Sequence, residues 1–125
     1  MILTLGLGLS SCKEDRPDPG YFAGIAAKGY YDLLLEGKYL DFVDGYHYPN
    51  RLPDGYHKQL VLNAQMFVEQ QQEAHRGMKE VEVLKAKADT AHHVADVFLQ
   101  VAYKDSTKEQ IVVPMVEVNG KWMMR

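Results

Sequence analysis

One tetrapeptide occurs twice in close succession, as Asp44-Gly45-Tyr46-His47 and Asp54-Gly55-Tyr56-His57, with Tyr48 between the copies. The echo brings three tyrosines and two histidines into a short stretch. A tyrosine offers a flat apolar ring and a hydroxyl together, so such a cluster suits apolar or sugar-like ligands. The plainer alternative is that Asp-Gly makes turns and the rings cap a core. Asp96 is a second candidate, set between apolar neighbours. Facing a pocket, its pKa would rise and it could act as a base; facing water or a dimer partner, it would be ordinary. An isomerase or hydratase would need Asp96, a tyrosine such as Tyr30 and a histidine to converge on one atom. His92-His93 is a poor chelating pair, because neighbours on a strand point to opposite faces. No HExxH spacing accompanies it, so no metal is expected. There is no GxSxG elbow, no phosphate-binding glycine loop and no motif that calls for a cofactor.

Cys12 is the only cysteine. That excludes an internal disulfide, a paired-cysteine zinc site and CxxC redox chemistry within one chain. Residues 1–9, MILTLGLGL, are apolar, uncharged and too short to span a bilayer, which needs ~20 residues. Their length suits the h-region of a signal peptide. Leu9-Ser10-Ser11-Cys12 resembles the bacterial lipobox, in which an aliphatic residue and two small residues precede the cysteine. The resemblance implies a diacylglycerol on the Cys12 sulfur, cleavage just before it and acylation of the new N-terminus. Each buried methylene contributes roughly 0.8 kcal/mol, so two or three acyl chains anchor stably where one does not. No Lys or Arg precedes Lys13, a departure from the basic n-region of signal peptides. Either the true start lies upstream or the signal is short. The competing reading is a buried N-terminal strand with Cys12 in the core, against which Gly6, Gly8 and two serines count.

Residues 1–11 are therefore assigned as a lipoprotein signal peptide, 12–19 as lipidated cysteine and tether, and 20–125 as the folded domain. The tether, Lys-Glu-Asp-Arg-Pro-Asp-Pro, is charged and proline-rich. At most ~3.5 Å per residue, it lets the domain stand about 25 Å from its anchor. Lys13-Glu14-Asp15 resembles the acidic export signal of some Gram-negative lipoproteins; the alternative is an ordinary polar tether. The expected address is the cell envelope, as an outer-membrane lipoprotein facing the periplasm or the exterior.

The 125 residues suffice for one core, and 46% hydrophobic with 25% charged residues is ordinary for a globular domain. A net charge of -3, with no long basic block, argues against a nucleic-acid surface.

Three helices are expected first. Asp18 caps the first, with Pro19 in its opening turn, and Phe22, Ile25, Ala26, Gly29 and Leu33 form its apolar stripe, widened by Tyr30 and Leu34. A short second helix carries Tyr39, Phe42 and Val43 on one side. A loop over 45–55 leads to a third, from near Asp54 to about Arg76, with Leu60, Ala64, Phe67, Val68 and Gln71 inward and Gly77 closing it. The period then changes to two. Strands are expected over 78–88, 94–103, 110–118 and 121–125. Ala95, Val97, Leu99, Val101 and Tyr103 share one face of the second. Asn119-Gly120 marks a two-residue hairpin, because both central positions need positive φ. Pro114 suggests an edge or a bulge. Helices followed by an antiparallel meander make an α+β domain. The second sheet face is not cleanly polar: Val94, Phe98, Val112, Val116 and Val118 lie there with Asp96 and Gln100. Either a partner covers that face while the helices wrap the other, or the sheet curls over itself; the first, a homodimer through the sheet, is favoured.

This order resembles the cystatin-like, nuclear-transport-factor-two-like superfamily. Residues 27–43, the run 105–116 (DSTKEQIVVPMV) and Asn119-Gly120-Lys121-Trp122 resemble small bacterial lipoprotein domains of that superfamily with no assigned function. The resemblance spans residues 20–125 and implies a cone: a curved sheet of about four strands wrapped round the long helix, with an apolar pocket at its open end. Some relatives are ketosteroid isomerases, and many others bind ligands or proteins. Their catalytic trio has no matching positions here.

Three functions are weighed. The first is an envelope-anchored, non-enzymatic domain that binds a small molecule or an envelope protein, its pocket formed by Tyr30, Tyr46, His47, Tyr48, Tyr56, His57 and Asp96. The second is a small pocket enzyme of the isomerase or hydratase kind. The third is an assembly module that dimerises through its sheet.

Overall fold

A computed structural model describes residues 18–125. The signal segment 1–11, Cys12 and the tether as far as residue 17 lie outside the described residues. Helix α1 runs Pro19–Leu35, α2 Tyr39–Val43 and α3 Tyr56–His75. Strands β1 Met78–Asp89, β2 Val94–Tyr103, β3 Lys108–Val118 and β4 Lys121–Met124 follow. The sheet is an antiparallel meander in the order β1-β2-β3-β4. Three helices before a four-stranded sheet is the α+β architecture expected. Among the described residues, no helix is long and apolar enough to cross a membrane.

Local chemistry sets the boundaries. Asp18 accepts from the Gly20 N–H and Pro19 occupies the first helical position, so two signals agree on where α1 begins. Arg76 and Gly77 both take positive φ, which turns the chain out of α3 and into β1. Asn119 (φ 52°) and Gly120 (φ 80°) form the two-residue turn from β3 to β4. Two register shifts in β1, between Met78 and Glu80 and between Val83 and Lys85, bend that strand round the helices.

The inner face of β2 is buried at every expected position, Ala95, Val97, Leu99, Val101 and Tyr103. Val113 and Met115 of β3 and Met124 of β4 continue the layer. Leu34, Ala23 and Ala27 of α1 and Ala64 of α3 close it from the other side. Full burial of a side chain such as Leu34 or Leu99 contributes about 1.5–3 kcal/mol.

The buried face of α1 corrects the expected stripe. Phe22 and Ile25 are exposed, whereas Gly20, Ala23, Gly24 and Ala27 are buried. The small residues let the helix approach β1 closely: a Cβ on Gly20 would stand 2.9 Å from the Ala86 carbonyl oxygen, and one on Gly24 3.2 Å from Val83 Cγ1. A periodicity read from large apolar residues selects the neighbouring face.

Pro114 sits where β3 becomes an edge. β4 stops opposite Met115, and the Arg125 N–H donates to the Pro114 carbonyl. A strand residue's N–H and C=O point the same way, so the missing N–H faces the end of β4 and breaks no bond to β2.

Candidate functional site

The tyrosine-rich loop folds against α2 and the first turns of α3. The Tyr46 and Tyr48 side chains, with Phe42 and Val43 of α2, form one wall of a cleft of about 310 Å³. Tyr56, Leu60 and Ala64 of α3 form the other. The volume lies at the lower end of the range for small-molecule sites. The rings are linked: Tyr31 meets Phe42 edge-on at 5.4 Å, Phe42 meets Tyr46 edge-on at 5.7 Å, and Tyr48 follows Tyr46 at 6.4 Å. Edge-to-face packing at these separations fixes ring orientation as well as burying area.

Backbone pairing holds the loop in place. The Met124 N–H donates to the Gly45 carbonyl, and the His47 N–H donates to the Met124 carbonyl at 2.7 Å. Residues 45–47 thus extend the sheet beyond β4. The Tyr48 hydroxyl donates to the Val43 carbonyl at 2.9 Å. The hydroxyls of Tyr46 and Tyr56 have no hydrogen-bond partner among the described residues. Burial raises the pKa of Tyr46. Burial does the same for Tyr48, with further contributions from Tyr46, Asp44 and Tyr56. Both phenols therefore stay protonated at neutral pH, as hydrogen-bond donors rather than bases. Beside the cleft, His57 Nε2 lies 2.8 Å from Asp44 Oδ1, tying α3 to the end of α2.

The two Asp-Gly-Tyr-His copies do different work. Gly45 is needed for space, because the Tyr30 ring lies where its Cβ would stand. Gly55 is needed for conformation: at φ 79° it has open space around it and caps α3.

No protein-family model and no curated protein matches this chain. Among solved structures, it is similar to a Campylobacter jejuni protein described as an NTF2-like protein and, provisionally, as a transpeptidase. The TM-score is 0.64 at 12% identity, over 78% of this chain and 92% of the other. The fold is nuclear-transport-factor-two-like. At that identity the likeness shows the fold alone.

Within this nuclear-transport-factor-two-like body the expected site residues divide. Tyr46, Tyr48 and Tyr56 line one cleft. His57 flanks it through Asp44, and His47 is half-buried beside it, engaged through its backbone. Tyr30 does not line the cleft. It lies on the other side of Gly45, donates its hydroxyl to the Trp122 carbonyl at 2.7 Å and faces a shallow depression bounded by α1 and β4. Asp96 is exposed on the outer sheet face, in register with Lys87 and Pro114. It alternates with the buried Ala95 and Val97, so the pleat that buries them directs it away from the helices. Asp96 and Tyr30 thus do not converge with a histidine on a common point.

His92 and His93 are exposed at the β1–β2 turn, each facing its own carboxylate. His92 Nδ1 lies 2.8 Å from Asp89 and His93 Nδ1 3.2 Å from Glu117. Among the described residues no group of three His, Cys, Asp or Glu side chains is placed to hold a metal.

The sequence reading missed Phe42, Val43, Leu60 and Ala64 as cleft residues. They looked like core positions of two helices. Their one signal was the loop between those helices, long enough to hold the walls apart while carrying rings to line the gap.

Proposed function

We propose that this chain is an envelope-anchored lipoprotein whose folded body binds a small, largely apolar ligand without transforming it. The single observation carrying the binding reading is the cleft of about 310 Å³ with the Tyr46, Tyr48 and Tyr56 rings on its walls. Its lining offers flat apolar surface and neutral phenols, a combination that binds and orients but does not abstract protons. The Tyr46 hydroxyl and that of the exposed Tyr56, free of protein partners among the described residues, are open to a ligand with one or two hydrogen-bonding groups on an apolar frame. The anchor part rests on Leu9-Ser10-Ser11-Cys12 and its apolar leader.

The binding test is a screen of small apolar and sugar-like compounds by tyrosine fluorescence and thermal shift, using wild type beside Tyr56→Ala and Asp96→Ala. A ligand of this cleft binds wild type and Asp96→Ala alike, and about tenfold more weakly to Tyr56→Ala, the effect of losing roughly 1.4 kcal/mol of ring contact. A ligand equally indifferent to both substitutions removes the cleft from consideration. Metabolic labelling with a fatty acid tests the anchor. Labelling lost in Cys12→Ser supports it, and labelling absent from wild type defeats it.

A second reading, self-association through the outer sheet face, has one observation in its favour. Val112 is 50% exposed and pairs across the ladder with Phe98. Phe98 is partly covered by the Lys85 and Lys87 ammonium groups, 4.8 and 5.9 Å from its ring centre. Sedimentation of wild type against Val112→Lys decides it: a dimer that Val112→Lys dissociates supports this reading.

A further inference from the structure

The first two turns of α1 carry large apolar side chains that the fold does not use. Tyr21, Phe22 and Ile25 are 56%, 54% and 52% exposed. Residues 19–27 contain no charged side chain at all. Tyr21 and Phe22 pack edge-on at 5.4 Å. Ile25 joins two depressions into one surface. With Tyr21 it borders a groove against Val83 and Ala86, and with Phe22 a wider one of about 540 Å³ that reaches Tyr30 and Trp122. Gly120 and the exposed Lys121 close the far rim. Exposed aromatic rings beside an indole and a lysine are what a protein presents to a lipid headgroup boundary, where an apolar body and a polar tip are both satisfied.

Chain length puts a bilayer within reach of this surface if Cys12 carries lipid. Five residues, 13–17, separate Cys12 from Asp18. Six steps at ~3.5 Å hold the start of α1 within about 21 Å of the Cys12 backbone. Phe22 is four residues further along a helix that rises 1.5 Å per residue, which is about 6 Å. A lipid-bearing Cys12 therefore keeps these exposed apolar turns within about 27 Å of its backbone, close enough to rest on the bilayer.

We infer that the face formed by Tyr21, Phe22, Ile25 and Trp122 lies on the phospholipid surface to which Cys12 is anchored, and so fixes the orientation of the domain. The inference rests on the lipoprotein reading above. An amphipathic surface of this kind sinks into the headgroup region by its apolar side chains. The tyrosine cleft lies elsewhere, between α2 and α3, with Leu60 and Ala64 on its wall, so seating this face leaves the cleft walls out of the contact.

Trp122 is the only tryptophan, and it reports directly. The full chain, purified with its anchor, is reconstituted into phosphatidylcholine vesicles with plain or brominated acyl chains. Trp122 fluorescence is expected to fall about twofold in the brominated vesicles, because a ring seated at the boundary lies within ~10 Å of the acyl chains. Phe22→Asp with Ile25→Asp is expected to float with the vesicles as wild type does, to melt at the same temperature and to lose the quenching. Tyr21→Ser with Ile25→Ser, a milder pair, is expected to lose part of it. Wild type that floats but is not quenched overturns the inference and leaves the anchor intact. Wild type that does not float defeats the anchor reading, and the inference falls with it. A dimer in detergent that Phe22→Asp dissociates would assign the face to a second copy of the chain and overturn the inference too.

Discussion

The Tyr30 ring fills the space in which a side chain at Gly45 would stand, so the first helix and the tyrosine loop meet with nothing between them. Tyr30 is itself held by its hydrogen bond to the Trp122 carbonyl, and Gly45 by the Met124 N–H. The contact sets where Tyr46, the next residue, points into the cleft.

Gly45→Ala is expected to destabilise the fold by about 1–3 kcal/mol, the usual cost of forcing a methyl into a filled site. It is also expected to weaken any ligand of the cleft. Thermal melting gives the first effect and the fluorescence screen the second. Tyr30→Ala in the same background restores the space, and the two substitutions together are expected to cost less than their sum.

Tyr48→Phe keeps the ring and removes the donor to the carbonyl of the buried Val43. The expected loss is about 1 kcal/mol, the cost of an unmet hydrogen bond of this kind. Tyr46→Phe removes a hydroxyl with no partner among the described residues, and its expected effect on stability is within about 0.5 kcal/mol. Denaturant unfolding of the two variants side by side checks the difference.

On α1, Gly20→Leu is expected to cost 2 kcal/mol or more, roughly the upper range for overpacking, because its Cβ meets the backbone of Ala86 rather than a movable side chain. Phe22→Ser, at an exposed position, is expected to change stability by less than about 0.5 kcal/mol. The reverse ranking in thermal melts would mean that the large residues, not the small ones, face the sheet.

Asp105 links the β2–β3 turn to the end of α3. The Thr107 hydroxyl and N–H both donate to it, and His75 Nδ1 lies 2.9 Å away. The Thr107 hydrogen bonds, then His75, bring its pKa down to about 2. A lowered carboxyl pKa stabilises the folded state above the unfolded value of about 3.9 and loses that contribution as pH falls through the folded value. Wild type is therefore expected to be more stable than Asp105→Asn at pH 5. The gap should narrow from about pH 4 downward and be smallest near pH 2. Melting temperatures of both proteins across that range measure it, and a gap that is constant with pH would remove the charge from the account.

Most of the fold was legible in the residues themselves. Alternation marked β2 from Val94 to Tyr103, because a strand buried on one face writes a period of two into its side chains. Asp18-Pro19 and Asn119-Gly120 marked a helix start and a hairpin turn, because backbone geometry at such points admits few residue types. The tyrosine cluster could also be read directly, being contiguous in sequence. Which face of α1 is buried was decided only in three dimensions: the approach to β1 depends on how little Gly20 and Gly24 fill, and a hydropathy pattern does not weigh the absence of a side chain. The separation of Asp96 and Tyr30 from the cleft was decided there as well. One lies across the sheet and the other across Gly45, and a site is a matter of which surfaces close on the same space, which spacing along a chain does not encode.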